Sequence, residues 1–246
     1  MASYPVDYCE QINPELLQEI KDERPRFRAA GRVQQSFVAQ IEKLALLWLA
    51  KRTPAWINSD HLTALGLVAQ IGAGAAYAFS RWNRTGLLMA IVALALNWLG
   101  DSLDGTLARV RNQQRPRYGF YVDHMVDSVG TVALLCGLAL SGYMHPYIAI
   151  GLLICFLLLS IQTYLATYTI GEFRLSFWRF GPTELRILLA IGNLALFARG
   201  PMVHFRGRGY RLFDIGGVIG IAAMALMLTA WTAKNTARLY NQEKTR

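Results

Sequence analysis

The chain is 246 residues long, 54% hydrophobic and 17% charged, whereas soluble domains run at about a quarter charged. With a mean hydropathy of +0.27 it is too apolar for a disordered chain or an ordinary soluble enzyme. A net charge of +9 would suggest nucleic acid in a soluble protein, but in so apolar a chain it points to cationic loops at an anionic membrane leaflet, with no nucleic-acid partner.

Residues 1–54 read as a cytoplasmic segment. Phe37, Ile41, Leu44, Leu47 and Trp48 recur at helical spacing, which predicts an amphipathic helix lying in the membrane interface and ending near Pro54. The rival reading is a helix packed on the bundle. The polar N-terminus predicts no cleavable signal peptide. Six apolar spans follow near residues 61–80, 85–109, 119–142, 145–170, 183–200 and 213–233. The expected fold class is therefore an all-α integral membrane protein. Six transmembrane helices occupy 55–233, and 234–246 form a cytoplasmic tail. Short connections make neighbouring helices antiparallel.

With the N-terminus in the cytoplasm, nineteen of the 25 Lys and Arg fall on the cytoplasmic side and six on the other. This bias puts both termini in the cytoplasm. Arg199, Arg206, Arg208 and Arg211 run against the rule. Cys9, Cys136 and Cys155 form no CxxC pair and are expected to be small buried hydrophobes. Trp56, Trp82, Trp98, Trp231, Tyr143 and Tyr147 read as interfacial belts. Gly72 and Gly74 suit helix packing, and His61, His145 and His204 read as surface residues.

Spans 2 and 3 carry acids where hydrocarbon would be expected. Span 2 runs apolar from Leu87 to Leu99 and then meets Asp101 and Asp104. Span 3 begins with Asp123 and Asp127 before its own apolar run. A carboxylate in hydrocarbon costs several kcal/mol, so these acids must face a bundle interior or a wet cavity. Spacings of three and four residues put each pair on one helical face, and the hairpin through Arg109–Tyr118 brings both pairs to one depth. Four carboxylates in one cavity stay ionised together only if cations hold them. Oxygen-only ligands select Mg²⁺, Mn²⁺ or Ca²⁺ over zinc, and two such ions suit phosphoryl or pyrophosphate chemistry. Arg109 lies about a turn beyond Asp104 and can reach a phosphate. Gly105, Ala108 and Gly119 remove bulk where a ligand must lie close to the backbone. A cation or proton pathway is the rival from another class.

Asp101-Ser-Leu-Asp104-Gly105-Thr-Leu-Ala108-Arg109, nine residues, then Gly119-x-x-x-Asp123-x-x-x-Asp127 resembles the signature of the CDP-alcohol phosphotransferases. The resemblance covers about 55–233. It implies six membrane helices, a homodimer and a cytoplasmic site with two divalent ions, Mg²⁺ or Mn²⁺. It also implies displacement of CMP from a CDP-linked donor by an alcohol or lipid acceptor. By position, Asp101, Asp104, Asp123 and Asp127 would hold the metals, and Gly105, Ala108, Arg109 and Gly119 would line the CDP site. The family often opens its first span with P-N-x-x-T-x-x-G. Thr63 and Gly66 fit that pattern, while Asp60 stands in place of the Asn and no Pro precedes it.

Three local features resemble the aminoalcohol branch, which uses CDP-choline or CDP-ethanolamine with diacylglycerol. They are Asp123-His124 with Asp127-Ser128, Gln162-Thr163-Tyr164, and Gly181-Pro182-Thr183-Glu184. The alternative branch is a phosphatidyltransferase taking CDP-diacylglycerol and a polar alcohol. In-line attack by an acceptor hydroxyl needs a base. Asp127 is the usual family candidate, but metal ligation would lower its basicity. His124 is the other candidate, with Glu184 as the acid that orients it.

Overall fold

The computed structural model describes residues 39–170, 182–205 and 208–244. Seven helices account for nearly all of them: α1 Ala39–Arg52, α2 Ser59–Phe79, α3 Thr85–Val110, α4 Pro116–Leu140, α5 Pro146–Ile170, α6 Pro182–Arg199 and α7 Leu212–Gln242. A small antiparallel hairpin, β1 Met202–Phe205 with β2 Arg208–Arg211, joins α6 to α7. Two of the four arginines that break the charge bias, Arg208 and Arg211, stand at the ends of β2, which pairs Met202 with Arg211. The expectation of helices alone missed this element. Gly200 ends α6 with a φ of +82°, the left-handed conformation that glycine adopts without steric cost.

Five helices, α2 to α5 and α7, have 21 to 31 residues and are apolar enough to cross a membrane. About 20 residues span the hydrocarbon core. Their outward faces carry large apolar side chains such as Val68, Val92, Val132, Ile154, Leu165 and Leu226, all exposed. A surface of this kind would aggregate in water and is at home in lipid. The protein is a multi-pass integral membrane protein. The expected sixth span, α6, is helical as read, but it is only eighteen residues long and Glu184, Arg186 and Arg199 are among them, whereas each of the five has eighteen consecutive apolar-rich residues with at most two charges.

Helix α2 is the centre of the bundle, packing against both α3 and α4; α3 also meets α1 and α6, and α5 meets α4 and α7. The closest approaches are at glycines. A Cβ on Gly100 would stand 2.6 Å from the backbone of Gly66 and Leu62, and a Cβ on Gly74 or Gly137 would overlap the facing backbone of α4 or α2. Backbones can approach this closely only where no side chain intervenes. Gly74 thus serves packing as expected. Gly72 does not, because a Cβ there would meet nothing within 4 Å. We expect Gly100→Ala to destabilise the protein by about 1–3 kcal/mol through overpacking, while Gly72→Ala has little effect. Thermal unfolding of the two variants in the same detergent tests the contrast.

The main core lies between these helices, around Tyr77, Leu87, Leu94, Leu138 and Leu196. Tyr143 is buried within it and is no belt residue, whereas Trp56, Trp82 and Tyr147 are exposed at helix ends. Cys136 is exposed and Cys155 partly so. They sit on membrane helices whose outward faces are apolar, so hydrophobic character does not imply burial in the protein. His61 has a definite role: its Nδ1 accepts the Asn58 backbone N–H while its own N–H donates to Asn58 Oδ1, capping α2.

Helix α1 forms where predicted and ends before Pro54, with one face packed on the bundle and Leu44 and Trp48 of the apolar stripe facing outward. Glu42, Leu46 and Ala50 are buried, while Leu44 and Trp48 are exposed. Phe37 lies outside the described residues. The inner face packs on Leu62, Leu103 and Leu107, so the helix rests on the back of the acid-bearing end of α3. Arg52 stacks over Trp48 at 3.8 Å on the outer face, as suits an aromatic and a cation at an interface.

Candidate active site

The end of α3 and the start of α4 bring the acids together. Asp101, Asp123 and Asp127 each offer a carboxylate oxygen, and the three oxygens lie within 4.8 Å of one another. Helical spacing produces this: Asp123 and Asp127 are one turn apart on α4 and face the last turns of α3. Asp104 stands in the same pocket wall, one turn beyond Asp101. Its Oδ2 accepts the Thr63 hydroxyl at 2.7 Å, and its Oδ1 accepts the Gly105 backbone N–H. The Ser59 hydroxyl donates to the Asp104 carbonyl at 3.1 Å. Two residues of α2 thus hold the second acid of α3 in place. The pocket is completed by Gly66, Asn97 and Val126.

Arg186 of α6 is the cation the sequence reading missed. Its Nη2 donates to Asp101 Oδ2 at 2.7 Å, and its Nε donates to Asn97 Oδ1 at 2.8 Å. Asn97 Nδ2 in turn donates to the Gly66 carbonyl at 3.0 Å and to Gln70 Oε1 at 3.3 Å. A polar layer made by α2, α3 and α6 therefore lies under the acids, with Asn97 almost wholly buried. Two signals were present: a charged residue in an apolar stretch, and an Asn one turn before Asp101. Both mark groups that face inward.

Arg109 folds back along α3. Its Nη2 donates to Thr106 Oγ1 at 3.1 Å, and a Cβ on Gly105 would meet only this guanidinium, at 3.7 Å; a Cβ on Gly119 would meet nothing. Neither glycine serves helix packing, so both leave open space near the acids. Ala108 is half-buried on the same stretch. Asp60 is committed to an exposed ion pair with Arg115.

His124 follows Asp123 and is buried. Its Nδ1 lies 2.5 Å from the Phe120 carbonyl oxygen. A carbonyl only accepts, so Nδ1 carries the proton, and in the neutral ring Nε2 has the lone pair. The ring stacks on Phe120 at 4.3 Å and meets Tyr164 edge-on at 5.0 Å. The Tyr164 hydroxyl is in hydrogen-bonding reach of Ser128 and Ser160. Glu184 lies in the first turn of α6, two residues before Arg186.

Three carboxylates this close repel one another, and oxygen donors of this kind suit hard divalent cations. The family model for CDP-alcohol phosphatidyltransferase matches residues 56–232. The chain belongs to the CDP-alcohol phosphatidyltransferase family. It is accordingly an enzyme that transfers a phospho-alcohol from a CDP-linked donor in phospholipid synthesis. The family uses divalent metals, and the donor set of Asp101, Asp123 and Asp127 fits that use. No curated protein gives a significant match to the chain.

Proposed function

We propose that this family member transfers a phospho-aminoalcohol, from CDP-choline or CDP-ethanolamine, to the hydroxyl of diacylglycerol. The observation that carries the reading is the convergence of Asp101, Asp123 and Asp127 in one walled pocket. The branch is supported by the meeting in space of two short motifs. His124 and Ser128 of the first come against Tyr164 of the second.

In this reading Asp101, Asp104, Asp123 and Asp127 hold two divalent ions, which when bound neutralise pyrophosphate charge. The chain's own residues do the rest. Arg109, at the end of α3 beside open space, meets a phosphate oxygen. Thr63 fixes the Asp104 carboxylate, and Gly105 and Gly119 leave room for the nucleotide. The acceptor oxygen attacks the phosphorus that carries the aminoalcohol. A new phosphorus–oxygen bond forms, the bond to the bridging oxygen breaks, and CMP leaves. His124 takes the acceptor's proton at Nε2, because Nδ1 is held by the Phe120 carbonyl. Glu184, in the first turn of α6, is in this reading the acid that orients the ring and stabilises the resulting imidazolium.

The same reading takes α6 as a sixth span, with Glu184 and Arg186 at its site end. The charge bias supports cytoplasmic termini and a cytoplasmic site. A homodimer rests on the family resemblance alone.

Purified protein in lipid nanodiscs, with Mn²⁺ or Mg²⁺, tests the branch. We expect CMP release from labelled CDP-choline or CDP-ethanolamine with diacylglycerol, and none from CDP-diacylglycerol with polar alcohols. The reverse pattern assigns a phosphatidyltransferase. Cation flux in liposomes with no CMP release from any donor assigns a carrier.

A further inference from the structure

Glu42 has no part in the chemistry above, yet the residue is buried, only 9% exposed. A buried carboxylate is costly unless hydrogen bonds compensate it. Here Oε1 accepts three: Trp98 Nε1 at 2.8 Å, Ser102 Oγ at 3.3 Å and Thr183 Oγ1 at 3.0 Å. The donors come from two other helices. Trp98 and Ser102 lie one turn apart on α3, and Ser102 follows Asp101 directly. Thr183 lies in the first turn of α6, three residues before Arg186, and hence on the same face.

The other end of α1 is tied to α3 as well. The Arg111 guanidinium donates to the carbonyls of Thr53, Pro54 and Ile57 at 2.9, 2.9 and 2.5 Å. Helix α1 is thus fixed on α3, and Glu42 joins that fixed pair to the start of α6. What α6 brings to the pocket is Arg186, on Asp101.

We propose that Glu42 is a positioning residue of the active site, holding the start of α6 on α3 so that Arg186 stays seated on Asp101. It acts through Arg186 and touches no reactant. The inference rests on the reading that the acids bind divalent cations. A guanidinium on Asp101 opposes a cation at the same carboxylate, so displacing it strengthens cation binding.

The test is a double-mutant cycle on the full chain in nanodiscs, read by the free Mn²⁺ signal in electron paramagnetic resonance, without nucleotide. Arg186→Ala and Glu42→Ala should each lower the Mn²⁺ dissociation constant, by about threefold or more for Arg186→Ala. The double variant should match Arg186→Ala alone, because coupled residues are non-additive. Glu42→Gln keeps an acceptor oxygen and should retain the wild-type value. A Glu42→Ala protein that is less heat-stable but binds Mn²⁺ as the wild type does would overturn the proposal, as would full additivity. Absence of Mn²⁺ binding by the wild type overturns it together with the metal reading. If the wild type releases no CMP from any donor while the Mn²⁺ cycle behaves as described, the positioning role stands and the substrate assignment falls.

Discussion

Asp123→Asn should abolish CMP release while the protein still folds and inserts. The side chain keeps its size, and Asp123 belongs to neither apolar core cluster. What it loses is charge. A neutral amide oxygen is a poorer ligand for a hard cation than a carboxylate, and one member of the three-oxygen cluster is then gone. Losing a residue that merely supports a metal ligand typically costs 10–100-fold, so the loss here should exceed about 10²-fold. Folding should be unharmed or improved, because one of three mutually repelling charges is removed. Asp104→Asn should behave alike, its neighbours Thr63 and Gly105 being left with a weaker acceptor. Turnover assays alongside thermal unfolding check both points. Near-normal turnover in either variant would remove the paired-metal reading.

His124→Ala should reduce turnover by about 10²-fold or more, the usual contribution of a positioned base, which is about 2.7 kcal/mol of barrier. Binding of the CDP-linked donor should survive, since the imidazole is turned toward Phe120 and Tyr164 and the donor-facing groups stay in place. The measurement is kcat against KM for the donor, together with equilibrium nucleotide binding. If His124→Ala keeps its rate while Asp127→Asn loses it, the base is Asp127 and the aminoalcohol assignment weakens with it.

Hydropathy made the helices legible and left their ends and faces less so. Helix α3 was read as 85–109 and runs Thr85–Val110; α5 was read as 145–170 and runs Pro146–Ile170. The last helix continues to Gln242, well past the expected 233, because hydropathy marks where lipid ends and not where backbone hydrogen bonding stops. The face that α1 packs on α3, with Glu42, Leu46 and Ala50, was not legible in the apolar spacing. The helix's apolar positions include both those packed on α3 and those presented outward, so periodicity alone could not separate them. The acids of α3 and α4 were legible because helical spacing and chain reversal are local rules. Arg186 on Asp101, Asn97 beneath it and Glu42 against Thr183 were not. Each joins residues from helices distant along the chain, and no local period encodes that. Trp98 shows the same limit, since its indole serves a buried carboxylate and no membrane belt.

The route by which the pocket is built has a consequence for the protein as it is made. Chains emerge from the ribosome N-terminus first, and α2, α3 and α4, which supply the lining of the pocket and, from α3 and α4, all its carboxylates, are consecutive. Arg186 is translated only after α5. A nascent chain inserted as far as α4 therefore holds its acids together without the guanidinium that later pairs Asp101, at the moment when the glycine crossings are closing. The pairing of Asp101 by Arg186 is therefore among the last contacts of the pocket to form.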